Sequence, residues 1–161
     1  MDLVIAIDAT GSMTPIIDNV KNKAKDFHKL IDVALTEKNR YVDNLRLKVV
    51  VFRDYFIDVD KSMIESKFFN MPDEIETFTN FVNTIGAEGG GDEPESGLEA
   101  LALAINSDWV SEGAKKRHII VMWTDASAHP IERGADFPPD NYPKDLPKTF
   151  EDLSSQWLDD Q

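Results

Sequence analysis

Asp8, Thr10 and Ser12 alternate in the pentapeptide Asp8-Ala9-Thr10-Gly11-Ser12. One carboxylate and two hydroxyls at this spacing can turn their oxygens toward a single point. An all-oxygen donor set suits a hard cation such as Mg²⁺. The same residue types are also ordinary helix N-caps, and from this stretch alone capping competes evenly with metal binding. Two more oxygen-rich clusters decide between them. One is the loop Gly86-Ala87-Glu88-Gly89-Gly90-Gly91-Asp92-Glu93-Pro94-Glu95-Ser96, and the other is Thr124-Asp125-Ala126-Ser127-Ala128-His129-Pro130. Three coincident clusters are hard to attribute to capping.

The elements around these clusters would bring them together. Leu3–Ile7 is an apolar run without alternation, the pattern of a strand buried on both faces of a parallel sheet. Apolar residues then recur at helical spacing from about Thr14 to Leu35, with Pro15 tolerated in the first turn. Leu45–Tyr55 is rich in β-branched residues and predicts a second strand. Phe56–Asn70 is ambiguous, with Lys67-Phe68-Phe69 as a short edge strand. Pro72 opens a helix whose apolar face is Ile75, Phe78, Phe81, Val82 and Ile85. The glycine-rich loop runs into a third helix bearing Leu98, Leu101, Ala102, Ile105 and Trp109. His118–Trp123 is another apolar strand. Ile131–Pro147 reads as a long loop, and Thr149–Leu158 as a last short helix. This order predicts a mostly parallel sheet with helices on both faces, and the clusters fall where strands end, the edge at which ligands bind in such sheets.

Composition narrows the partners. At 161 residues the chain suits one domain. Its hydrophobic fraction of 42% and charged fraction of 29% are those of a soluble globular protein. A formal net charge of −13 argues against direct nucleic-acid binding, which needs a basic face. No apolar run approaches the roughly 20 residues of a membrane span. There is no cysteine, and no basic segment precedes the first strand, so a cytoplasmic setting is expected.

Together, the motifs resemble those of a von Willebrand factor type A domain with a metal-ion-dependent adhesion site. Asp8-Ala9-Thr10-Gly11-Ser12 is similar to that family's D-x-S/T-x-S loop, and Thr124-Asp125 to its aspartate after a later strand. Asp92-Glu93-Pro94-Glu95 resembles the D-x-P-E loop of one branch, found in integrin β subunits, hemicentin-like proteins and α-kinase-linked A domains. The resemblance covers nearly the whole chain. It implies a three-layer α-β-α sandwich with a doubly wound, Rossmann-like sheet. It further implies that Thr10, Ser12 and Glu95 bind one Mg²⁺ (or Mn²⁺ or Ca²⁺), with Asp8 and Asp125 binding directly or through water. A protein partner would supply an acidic residue to complete the coordination. A second metal would use Asp54, Asp92 and the Pro94 carbonyl, although Gly90 stands where that pattern has an asparagine. A further flanking site is not expected, because Pro15 and Ile16 occupy its acidic positions. Relative to the family the chain stops near the next helix, so the domain 1–161 is expected to lack its last strand or strands.

Two other readings compete with a non-catalytic binding module. Asp8 after an apolar strand also resembles the nucleophile of haloacid-dehalogenase phosphotransferases, with Gly91-Asp92-Glu93-Pro94-Glu95 as their later acidic motif. That motif should follow a strand, whereas here it follows a predicted helix end, and no lysine is clearly placed between the two. Alternatively, a cation serves only to hold the three acidic loops together. Of the remaining residues, His129 is expected to pack the loop rather than bind metal, since imidazole adds little to an oxygen site for Mg²⁺. Trp109, Trp123 and Trp157 sit in apolar patterns and are expected in the core.

Overall fold

The computed structural model describes residues 1–91 and 93–159. β1 (Asp2–Asp8) lies at the centre of the sheet, buried at every position, as its unbroken apolar run requires. It pairs in parallel with β2 (Leu45–Phe52) on one side and with β5 (His118–Trp123) on the other. Along the outer edge of β2 run two short antiparallel strands. β3 (Met63–Glu65) pairs with Val50–Phe52, and β4 (Phe69–Met71) with Leu45–Leu47. The ambiguous segment thus supplies two strands, and the expected Lys67–Phe69 strand begins at Phe69. The sheet is five-stranded and mixed.

The two faces of β1 and β2 are sorted by residue parity, since successive side chains alternate across a sheet. Leu3, Ile5, Ile7, Leu47, Val49 and Val51 face one layer, formed by α1 (Thr14–Lys23), α2 (Phe27–Thr36) and α3 (Ile75–Thr84). Val4, Ala6, Val50 and Phe52 face the other, where Ala100 and Ala104 of α4 (Gly97–Ile105) let that helix approach closely. Behind α4, Ala102 and Ile105 meet Ile131 of α5 (Ile131–Asp136) and Leu153 of α6 (Phe150–Asp159). The result is the expected three-layer α/β sandwich. Trp123 packs in the first cluster, Trp109 in the second and Trp157 in the third.

Two expectations change. The single helix over 14–35 is divided by a tightened 3-10 turn at Ala24–Asp26. This turn packs against α3, and just beyond it the Phe27 ring stacks on Phe78 at 6.5 Å. Apolar spacing alone does not distinguish a tightened turn from a continuous helix, because the stripe passes through both. Second, the stretch expected as loop from Ile131 contains α5, started by Pro130 and anchored by Ile131, which is completely buried. Its six residues are too few to establish a periodicity.

Candidate metal centre

β1 ends at Asp8, and the chain turns through Thr10 into a 3-10 turn at Gly11–Met13 and then α1. None of the three residues caps a helix through its side chain: no side-chain cap bond forms at Thr10 or Met13. Their oxygens engage one another instead. Asp8 is fully buried, and its Oδ1 accepts from the Thr10 amide at 2.9 Å and from Thr10 Oγ1 at 2.7 Å. Its Oδ2 accepts from Thr124 Oγ1 at 2.8 Å, which joins the end of β1 to the end of β5. Ser12 Oγ donates to Asp125 Oδ1 at 3.1 Å, closing a second bridge between the same loops.

The third loop comes in from the front of α4. Glu95 forms a parallel bridge with Ala128: its amide donates to Ser127 O at 2.9 Å, and its carbonyl accepts from the His129 amide at 2.9 Å. Its side chain is 3% exposed. Gly90, at φ +75°, passes so near that an added Cβ would lie 3.2 Å from Thr10 Cβ and 3.5 Å from Glu95 Oε1. Glycine is needed there both for the left-handed backbone and for the space. The structure therefore brings the bonded pairs Asp8–Thr10 and Ser12–Asp125 within 3.4 Å of each other and sets Glu95 beside Thr10 across Gly90.

The donor chemistry fits a hard cation. The hydroxyl protons of Thr10 and Ser12 are both committed to carboxylates. The 3.4 Å between Thr10 Oγ1 and Ser12 Oγ is then an approach of two lone-pair-bearing oxygens. Neighbouring ligands on one cation at about 2.1–2.4 Å would stand roughly 3.0–3.4 Å apart. Among the described residues no three His, Cys, Asp or Glu side chains are grouped so as to hold a metal ion.

Of the second expected group, Asp92 lies outside the described residues. Pro94 is half-buried beside Glu95, and Asp54 is buried at the end of β2. The Asp54 carboxylate is engaged: Oδ1 accepts from the Phe56 amide at 2.8 Å, and Oδ2 lies 3.2 Å from His129 Nε2. His129 is itself 4% exposed, with Arg133 Nη1 2.7 Å from Nδ1 and the Arg133 guanidinium 3.9 Å from the Phe56 ring centroid. His129 thus links the third loop to β2.

Three contributors escaped sequence reading. Thr124 lies in a recognised motif, yet nothing in its type distinguishes it as the bridge to Asp8. Arg53, the residue after β2, donates through Nε to Ala9 O at 3.1 Å and to Glu88 O at 2.8 Å, contacts across 44 and 35 residues. Glu99 lies on the buried face of α4, where its Oε1 accepts from Tyr142 Oη at 3.0 Å, a contact across 43 residues that no local pattern encodes.

An α/β domain with an oxygen-lined centre at the carboxyl edge of its parallel strands is the class that this geometry defines. The chain belongs to the von Willebrand factor A domain family, whose profile matches residues 2–134. Members of this family generally mediate protein interactions, often with a metal. The chain is 26% identical over 129 residues to a putative ariadne-like RING finger protein of Acanthamoeba polyphaga mimivirus, covering 80% of this chain and 11% of that protein. It is 27% identical over 132 residues to the alpha-protein kinase vwkA of Dictyostelium discoideum, covering 82% of this chain and 19% of the kinase. The match therefore spans a small part of either relative. The crystal structure of the pilus adhesin SpaC from Lactobacillus rhamnosus GG shares the fold, with a TM-score of 0.54 at 14% identity over 78% of this chain and 15% of the adhesin. Among the described residues no helix is long and apolar enough to cross a membrane.

Proposed function

We propose that this domain is a divalent-cation-dependent protein-binding module without catalysis of its own, of the D-x-P-E branch. Asp8, Thr10, Ser12, Glu95 and Asp125 hold one Mg²⁺, for which Mn²⁺ or Ca²⁺ can substitute. The observation that carries this reading is the convergence of these oxygens: Thr124 and Thr10 bond to Asp8, Ser12 bonds to Asp125, and Thr10 Oγ1 approaches Ser12 Oγ at 3.4 Å. Asp8, which already accepts three hydrogen bonds, would act on the cation directly or through water, while Thr10 and Ser12 offer lone pairs directly. When bound, the cation supplies a Lewis-acidic position that a partner's Asp or Glu can fill. A domain with a net charge of −13 would repel an acidic partner in the absence of the cation, so binding of that partner should depend on it. The cysteine-free sequence fits a cytoplasmic setting.

Calorimetric titration of Mg²⁺ into the metal-stripped chain tests the reading, with Asp8→Ala alongside. Binding near one equivalent, abolished in the variant, is the expected outcome. An acidic peptide should then bind only in the presence of Mg²⁺. A second equivalent would add the centre of Asp54, Asp92 and Pro94. A folded chain that takes up no cation would overturn the proposal.

A further inference from the structure

Arg53 follows β2 directly and is 2% exposed. Its guanidinium donates to four main-chain carbonyls. Nε reaches Ala9 O at 3.1 Å and Glu88 O at 2.8 Å, Nη1 reaches Lys61 O at 2.7 Å, and Nη2 reaches Gly86 O at 2.6 Å. These acceptors come from three segments: the loop after β1, the turn before β3 and the glycine-rich loop. Ala9 lies between Asp8 and Thr10, and Glu88 lies two residues before Gly90, which packs against Thr10 and Glu95. Among the described residues the direct bonds between the two loops are few: the Glu88 amide donates to Ala9 O at 3.0 Å, and the Gly11 amide to Gly89 O at 3.4 Å. The carbonyl between two proposed ligands is therefore held from two sides, by Glu88 and by Arg53.

We propose that Arg53 is a positioning residue that sets the spacing between the Asp8–Ser12 loop and the glycine-rich loop, and through it the geometry of the cation site. This rests on the reading of Asp8, Thr10, Ser12 and Glu95 as ligands. The guanidinium is suited to the task because its donors point in fixed, coplanar directions, so acceptors on separate loops are held at defined distances. A lysine keeps the charge, but its three donors radiate from one atom and cannot reproduce the fork. Arg53→Lys thus separates geometry from charge.

The test is Mg²⁺ titration of the full chain as wild type, Arg53→Lys and Arg46→Lys, with thermal melting and amide NMR of each metal-free protein. Arg46 is the control, because it grips Asp2 at the opposite end of β1, through Nε at 2.9 Å. Arg53→Lys should weaken Mg²⁺ at least tenfold and move the amide resonances of Thr10, Gly11, Glu88 and Gly90. Arg46→Lys should melt lower yet bind Mg²⁺ within twofold of wild type. The proposal is overturned if Arg53→Lys binds within twofold of wild type, or if both variants lose affinity equally. Should wild type bind no Mg²⁺, the metal reading fails separately; amide shifts across both loops would still uphold the positioning role, and shifts confined to β2 would sink it. Should Arg53→Lys not fold, hydrogen exchange in wild type decides: Mg²⁺ should slow exchange at Arg53 Nε–H and the Glu88 amide, and unchanged rates overturn the proposal.

Discussion

Glu99 shows how far a residue can depart from its ordinary chemistry when the fold demands its position. It is fully buried beside Tyr142, and burial pushes its carboxyl up. Its own amide, the Tyr142 hydroxyl and Arg133 oppose that rise without cancelling it, while Asp54 adds to it. An acid whose folded pKa is raised binds more protons in the native state than in the unfolded one. Its contribution to stability is therefore complete below the ordinary value of 4.5 and is lost as pH rises through the folded value. Glu99→Gln keeps an acceptor for Tyr142 and removes the charge. The variant should gain stability relative to wild type between pH 4 and pH 8, measured by urea unfolding across that range; parallel curves would refute it. Asp2 also titrates abnormally: burial would raise it, but Arg46 and the Val110 amide together pull it down. Both proteins carry Asp2, so it cancels in the difference. That Asp8, Thr10, Ser12 and Asp125 gather at strand ends is legible in the sequence, because a polar cluster closes each apolar run. The contacts of Glu99 and His129 are not, because a lone charged residue does not reveal which distant group it meets.

At the scale of elements, the parallel core was legible and its periphery was not. β1 and β2 are buried almost throughout, and β5, though only partly buried, is an apolar run from Ile119 to Trp123, so their type is unambiguous. β3 and β4 are three residues each and are defined by the β2 edge they pair with rather than by their own composition. α5 is similar, being fixed by what packs on it. An added Cβ at Gly134 would fall 2.1 Å from the Tyr142 ring, so the helix can sit under that ring only with glycine there. The same ring meets Tyr55 edge-on at 5.2 Å and bonds to Glu99. Gly134→Ala must therefore displace Tyr142 and strip Glu99 of its donor. Overpacking costs about 1–3 kcal/mol, and an unsatisfied buried polar group a comparable amount. A loss of about 2–5 kcal/mol in urea unfolding is expected. A loss under about 1 kcal/mol would mean that Tyr142 moves aside freely.

The 161-residue chain carries a net charge of −13, and this sets how it should respond to salt. Self-repulsion opposes the compact state, and monovalent salt screens it over a Debye length of about 10 Å at 0.1 M. NaCl should accordingly raise the melting temperature gradually, without saturation at low concentration and in any variant that keeps the charge. A cation held at Asp8, Thr10, Ser12, Glu95 and Asp125 would act differently, because binding to the native state alone adds stability by mass action. At a hundredfold excess over Kd that is about 2.7 kcal/mol. Mg²⁺ at ionic strength matched with NaCl should thus give an extra, saturable rise in melting temperature. Asp8→Ala should lose that rise while keeping the response to NaCl, since one carboxylate among 30 acidic side chains barely alters the overall repulsion. If Mg²⁺ and NaCl raised the melting temperature equally at matched ionic strength, the carboxyl edge of the sheet would be responding as part of a diffuse acidic surface rather than as a site.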